Sequence, residues 1–192
     1  MRYAALLLLG VPAFAQIGTH PTPAAASMAP KGEARAIPGA PKSQRIPLAT
    51  FVTLERAFDA KLAAMADRNG PVDLLGATRG VYLDGYGVVF TTEMGLVVTP
   101  TVNPFNSTIS ETQKNQVHSA KVTRMPLLKK AITDMMRNVA TSLTQVGDTQ
   151  QVVVAVRLDY LNWENTTGLP GLVIAKADRR SAMAGTIQIE EQ

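Results

Sequence analysis

The dipeptide Asp84-Gly85 stands between two runs, Thr78 to Leu83 and Tyr86 to Met94, that are rich in β-branched and aromatic side chains. This is the strongest short-range signal for an antiparallel hairpin, so the chain is committed to building a sheet. A second strand pair follows the same logic. Gln151 to Leu161 starts as an unbroken apolar run from Val152 to Val156 and then alternates through Arg157, Leu158, Asp159 and Tyr160. A tight polar loop at Asn165 to Gly168 is expected to return it into Leu172 to Ala177. Pro100, Asn103, Pro104, Asn106 and Ser107 make the first pair fade into a loop near Val98.

Helical periodicity occupies the remaining segments. Phe51, Leu54, Phe58, Leu62 and Met65 recur on one face, with Glu55, Arg56, Asp59 and Lys61 elsewhere, which predicts a helix over about 50–69 stopped by Asn69-Gly70-Pro71. Its aromatic stripe reads as core, because an amphipathic helix must bury that face. Ser110 to Arg124 is compatible with an exposed helix. Pro126 then opens a new helical segment with the stripe Leu128, Ile132, Met135, Val139, Leu143 and Val146, ended by Gly147-Asp148. Asp178 caps a short turn over 179–184, and 186–190 reads as a last strand. The expected fold is α+β: a two-layer sandwich over 48–192, with a mainly antiparallel sheet built from two hairpins and amphipathic helices on one face.

The start of the chain is of another kind. Arg2, the apolar run Ala4 to Leu9, and Ala13-Phe14-Ala15 before Gln16 form the three-part pattern of a cleavable signal peptide over 1–15. Gly10 and Pro12 interrupt the run well short of the roughly 20 residues a membrane span needs. Residues 16–47 carry six prolines among alanines and glycines and too few large apolar side chains to offset the entropy of ordering, so a mobile Pro/Ala-rich tether is expected. The product is expected to be exported, periplasmic or secreted, without a transmembrane segment in the mature chain. It has no cysteine, which removes disulfides, thiolate ligands and a catalytic thiol together. Of 19 basic and 15 acidic residues, five and one precede Ile46, leaving 14 of each in the folded part. No basic patch of the kind nucleic-acid binders carry is visible there.

Motifs for chemistry are sparse. His20 lies in the tether and His118 on a polar helix, so neither a zinc site nor a triad has the partners it needs. Gly85-Tyr86-Gly87-Val88-Val89-Phe90 begins like a dinucleotide fingerprint but has Phe90 at the third small position and leads into a strand. No phosphate loop or nucleophile elbow is present, and no metal or cofactor is expected. Asp84, Glu93, Asp159 and Glu164 lie at or near strand ends. Two of them would serve as acid and base of a hydrolase if a turn brought them together, but each also has an ordinary turn or ion-pair role.

The least ordinary composition is Tyr82, Asp84 and Tyr86 with Tyr160, Trp163 and Glu164, which includes the only Trp and three of four Tyr. If the two hairpins are neighbours, these ends form an amphipathic binding surface; otherwise they cap the core at the sheet edge. Tyr82-Leu83-x-Gly85-Tyr86-Gly87 running into Phe90, with Trp163-Glu164-Asn165-Thr166 before Gly168-Leu169-Pro170, resembles a group of exported bacterial proteins of unassigned function. The resemblance covers the two hairpins and implies export but no activity. The leading expectation is a tethered, non-catalytic binding or assembly domain with a protein partner or a second copy. A carboxylate hydrolase and a small-molecule carrier with a cavity beneath the hairpins are the alternatives.

Overall fold

The computed structural model describes residues 46–68, 70–102 and 108–192. The expected signal peptide, and the tether apart from Ile46 and Pro47, lie outside the described residues. The element order is α1 (Leu48–Ala63), β1 (Asp73–Leu74), β2 (Arg79–Leu83), β3 (Gly87–Gly95), α2 (Glu111–Ser142), β4 (Gln151–Leu158), β5 (Leu172–Asp178), α3 (Arg179–Ala184) and β6 (Gln188–Glu191). The α+β class follows directly. The six strands form one open, mixed sheet in the order β1-β3-β4-β5-β6, with β2 beside β1 on the same flank of β3. All pairings are antiparallel except β3 with β4, which run parallel from Gly87 opposite Gln151 to Met94 opposite Leu158.

That parallel pair departs from a sheet made only of hairpins, and its cause is α2. A parallel neighbour needs a crossover connection, and a helix supplies it. The expected β2–β3 hairpin is present, with Leu83 opposite Gly87 and the Tyr86 N–H donating to the Leu83 carbonyl at 3.0 Å. Gly85 sits at φ 75°, the left-handed conformation that this turn requires and glycine adopts freely. The second strand pair is antiparallel as expected, but 159–171 joins it instead of a four-residue turn. The short β1 was not expected from periodicity, since two residues carry none.

The two segments anticipated on either side of Pro126 are one 32-residue helix. Pro126 removes one backbone donor, which leaves the Val122 carbonyl without its helical bond. Both residues are solvent-exposed, so the lost bond falls on the solvent side of the helix while the opposite face stays packed. The helix opens on a capping box: the Ser110 hydroxyl accepts from the Gln113 N–H at 3.2 Å, and the Gln113 side chain accepts from the Ser110 N–H at 3.0 Å. Asp178 caps α3 as expected, and hydrogen bonds first from the Ser181 N–H and then from its hydroxyl hold the Asp178 carboxyl below the usual carboxylate range.

The helices cover one face. Phe58, Leu62, Leu128, Ile132, Met136 and Val139 pack onto Val88, Phe90, Met94, Val152, Val154, Val156, Val173 and Ala175, each at most 1 % exposed. The Phe51 and Phe90 rings meet at 5.9 Å between centroids. A Cβ on Gly80 would lie 2.5 Å from one ring and 2.7 Å from the other, so a side chain there would drive the two rings apart. Among the described residues, no helix is long and apolar enough to cross a membrane.

Candidate functional site

The six residues singled out in the sequence fall into two groups at opposite ends of the sheet. Because β3 and β4 are parallel and in register over seven residue steps, the turn before β3 and the loop after β4 lie about 23 Å apart at about 3.3 Å per residue. The expected single aromatic surface is therefore split, and the parallel crossover is the reason. At one end, the Tyr82 hydroxyl accepts from the Gln150 side chain at 3.0 Å, while Asp84 and Tyr86 are exposed in the turn. The Tyr86 carbonyl accepts the Gln151 N–H at 2.7 Å, which ties the turn to the start of β4.

At the other end, Tyr160 and Glu164 come together over α2, with Trp163 in the same connection, its buried indole N–H without a partner among the described residues. The Lys121 ammonium, 1 % exposed, pairs with the Glu164 carboxylate, 2 % exposed. It also reaches the Asp159 carbonyl at 3.4 Å and lies 4.6 Å from the centroid of the Tyr160 ring. Glu164 additionally accepts the Leu161 N–H at 3.3 Å. The Tyr160 hydroxyl donates to the Pro170 carbonyl at 2.7 Å, and the His118 ring donates from Nδ1 to the Asn165 carbonyl at 2.9 Å. Three hydrogen bonds from Lys121 and His118, with the cation–π contact, thus pin the 159–171 connection onto one helix face.

Chemically, this cluster is a clamp. Its lysine and carboxylate neutralise each other, and its tyrosine and histidine are engaged with carbonyls. Asp84 stands at the far end of the sheet, so it forms no acid–base pair with Asp159 or Glu164. Two grooves open on the helical side, one of about 710 Å³ lined by Arg68, Val97, Asn115 and Ser119 among others, and one of about 250 Å³ between Lys61, Met65, Leu127 and Asp134. Neither lies beneath the hairpins, where a carrier would hold its cargo.

Burial, and secondarily the charge of Glu164, pushes the Tyr160 phenol up to about 12. An unfolded tyrosine gives up its proton near 10, so between these values the folded state binds more protons than the unfolded state. The stability linked to this group is fully present below pH 10 and is lost as pH rises through about 12. A phenolate absorbance titration is expected to show a tyrosine ionising at about pH 12. Tyr160→Phe should remove that late step.

The residues missed at the sequence level are Lys121 and Arg124, both buried among apolar neighbours. The signal was available: continuing the α2 stripe backwards from Leu128 by four and seven residues lands on Arg124 and Lys121, cations in core positions.

The other extended feature is the sheet face that the helices leave uncovered. Val81, Val89 and Val153 stand in one cross-strand row, with Ala155 and Ile174 in the next and Leu83 beyond Val81. Val81 is 50 % and Leu83 45 % exposed. Charged residues surround this strip: Arg79, Glu93 paired with Arg157 at 3.5 Å, and Lys176 paired with Glu190. Compared with protein-family models, curated proteins and solved structures, the chain matches none of them.

Proposed function

We propose that this chain is a non-catalytic binding domain of an exported protein, and that it meets a protein partner on the uncovered face of the sheet. The observation that carries the reading is the apolar strip itself. A sheet with one solvated face alternates apolar and polar residues along each strand, yet β4 places Val153 and Ala155 outward between Val152, Val154 and Val156. Apolar residues on both faces of a central strand are the composition of a strand covered on both sides. The strip is open at its β2 end, where Val81 and Leu83 are exposed, and closes toward β4, where Val153 is 9 % exposed; an apolar strip rimmed by charge is a usual mark of a protein-binding surface. Export is supported by the pattern of residues 1–15 and by the resemblance of the two hairpin motifs to exported proteins.

The test is photo-crosslinking in the producing cell with the full chain, using a reactive side chain at Val81 or, as a control on the helical side, at the equally exposed Val122. Adducts are expected from position 81 and not from position 122. No adduct from 81, or equal yields from both positions, would overturn the reading.

A further inference from the structure

We propose that the occupant of the uncovered face is a second copy of this chain, packed face to face about a two-fold axis parallel to the strands and lying between β3 and β4. This rests on the binding-domain reading above. It follows from how the edges and the face are built.

Pairing between strand edges is the common route by which sheets associate, and here both outer edges are blunted. On β2, the Glu55 carboxylate accepts the Gly80 N–H at 2.7 Å, and just before the strand the Asp59 carboxylate accepts the N–H of Thr78 at 3.0 Å and its hydroxyl at 2.5 Å. Helix α1 thus occupies two of the donors that an added strand would use, those of Thr78 and Gly80. The opposite edge, β6, has four residues and ends in Glu190-Glu191. Short, charged edges resist strand addition, which leaves the face.

The register makes that face self-complementary. Because β3 and β4 are parallel and in register, a rotation by 180° about an axis lying between them exchanges the two strands and preserves every row. Each Val89 then meets the partner's Val153, and each Thr91 meets the partner's Ala155, pairs that stand beside each other within one sheet. In the next row each Glu93 meets the partner's Arg157, so two exposed intrachain pairs close into a ring of four alternating charges. On the flank Val81 meets the methylene stem of the partner's Lys176, whose ammonium stays with Glu190. Two sheets packed this way sit about 10 Å apart with strands within about 30° of alignment. An isologous contact of this kind closes on itself and gives a dimer rather than a fibre.

Sedimentation equilibrium of the purified full chain is expected to give the dimer mass. Val89→Lys, which sets an unpaired charge at the centre, should raise Kd by about 30-fold or more. Glu93→Arg should weaken the dimer in the same direction, and Glu93→Arg combined with Arg157→Glu should restore it. A purely intrachain role for this pair would move the thermal midpoint and leave the mass unchanged. Monomer at every concentration, or a dimer indifferent to both Val89→Lys and Glu93→Arg, overturns the proposal. Should the chain stay monomeric while position 81 still crosslinks to a different protein, the binding-domain reading stands and the second copy falls. A crosslinked product of twice the chain's mass supports both.

Discussion

Glu164→Leu is expected to cost about 3–5 kcal/mol of folding stability, the usual penalty for removing one partner of a buried ion pair. The Lys121 ammonium is 1 % exposed and would be left with the Asp159 carbonyl and the face of the Tyr160 ring. Neither replaces a carboxylate. Lys121→Met should cost a similar amount, because it strands the equally buried Glu164 against a single backbone donor from Leu161. For a domain of this size, the change corresponds to a fall of roughly 10 °C or more in thermal midpoint. Combining Lys121→Met with Glu164→Leu removes both charges and leaves apolar side chains of similar volume. The double variant should recover most of the loss, since a buried pair roughly breaks even against well-packed hydrophobes. Denaturant unfolding of the four proteins forms a double-mutant cycle whose coupling term should reach at least about 2 kcal/mol. Additive single effects would mean that water screens the pair and that the 159–171 connection is held by its other bonds.

How much of this was visible in the sequence depends on the range of the interaction. The stripe from Phe51 to Leu62, the turn at Asp84-Gly85 and the cap at Asp178 are local signals, and their elements formed there, although α1 ends at Ala63, short of the expected stop at Asn69-Gly70-Pro71, and leaves Met65 in the following turn. Pairing was harder to read. Periodicity reports which face of a strand is buried but says nothing about its neighbour, so the parallel contact of β3 with β4, and with it the separation of Tyr82, Asp84 and Tyr86 from Tyr160, Trp163 and Glu164, followed only from the crossover. The run Val152 to Val156 held a clue, since unbroken apolar strands are typical of parallel, doubly covered positions. Pro126 misled for the converse reason. A local rule ends a helix there, whereas Met125, Leu128, Ile132 and Met135 pack continuously past it on the side away from the ring.

Arg124→Met should be the second severe variant, also costing about 3–5 kcal/mol, through a different mechanism. The guanidinium is fully buried and acts as a four-way junction. One terminal nitrogen donates to the carbonyls of Pro71 at 3.0 Å and Leu96 at 2.6 Å; the other donates to the Gly70 carbonyl and the Asp67 carboxylate. It thereby ties the turn after α1 and the segment following β3 to α2, beside the Val98 N–H bond to the Pro71 carbonyl at 3.4 Å that joins the first two. Removing it leaves the Leu96 carbonyl without its donor and the Pro71 and Gly70 carbonyls with only the long backbone bonds from Val98 at 3.4 Å and Asp67 at 3.3 Å, and an apolar side chain cannot return one. Arg124→Lys keeps the charge but replaces a planar fork by a single ammonium. It should rescue less than half of the loss. Hydrogen exchange provides the decisive readout: amides of 67–71 and 95–98 are expected to lose protection well before those of β4 and β5. If protection falls uniformly instead, Arg124 contributes through packing alone and the junction does not hold the turn. If Lys restores full stability, charge near Asp67 is what matters and the carbonyl bonds are incidental.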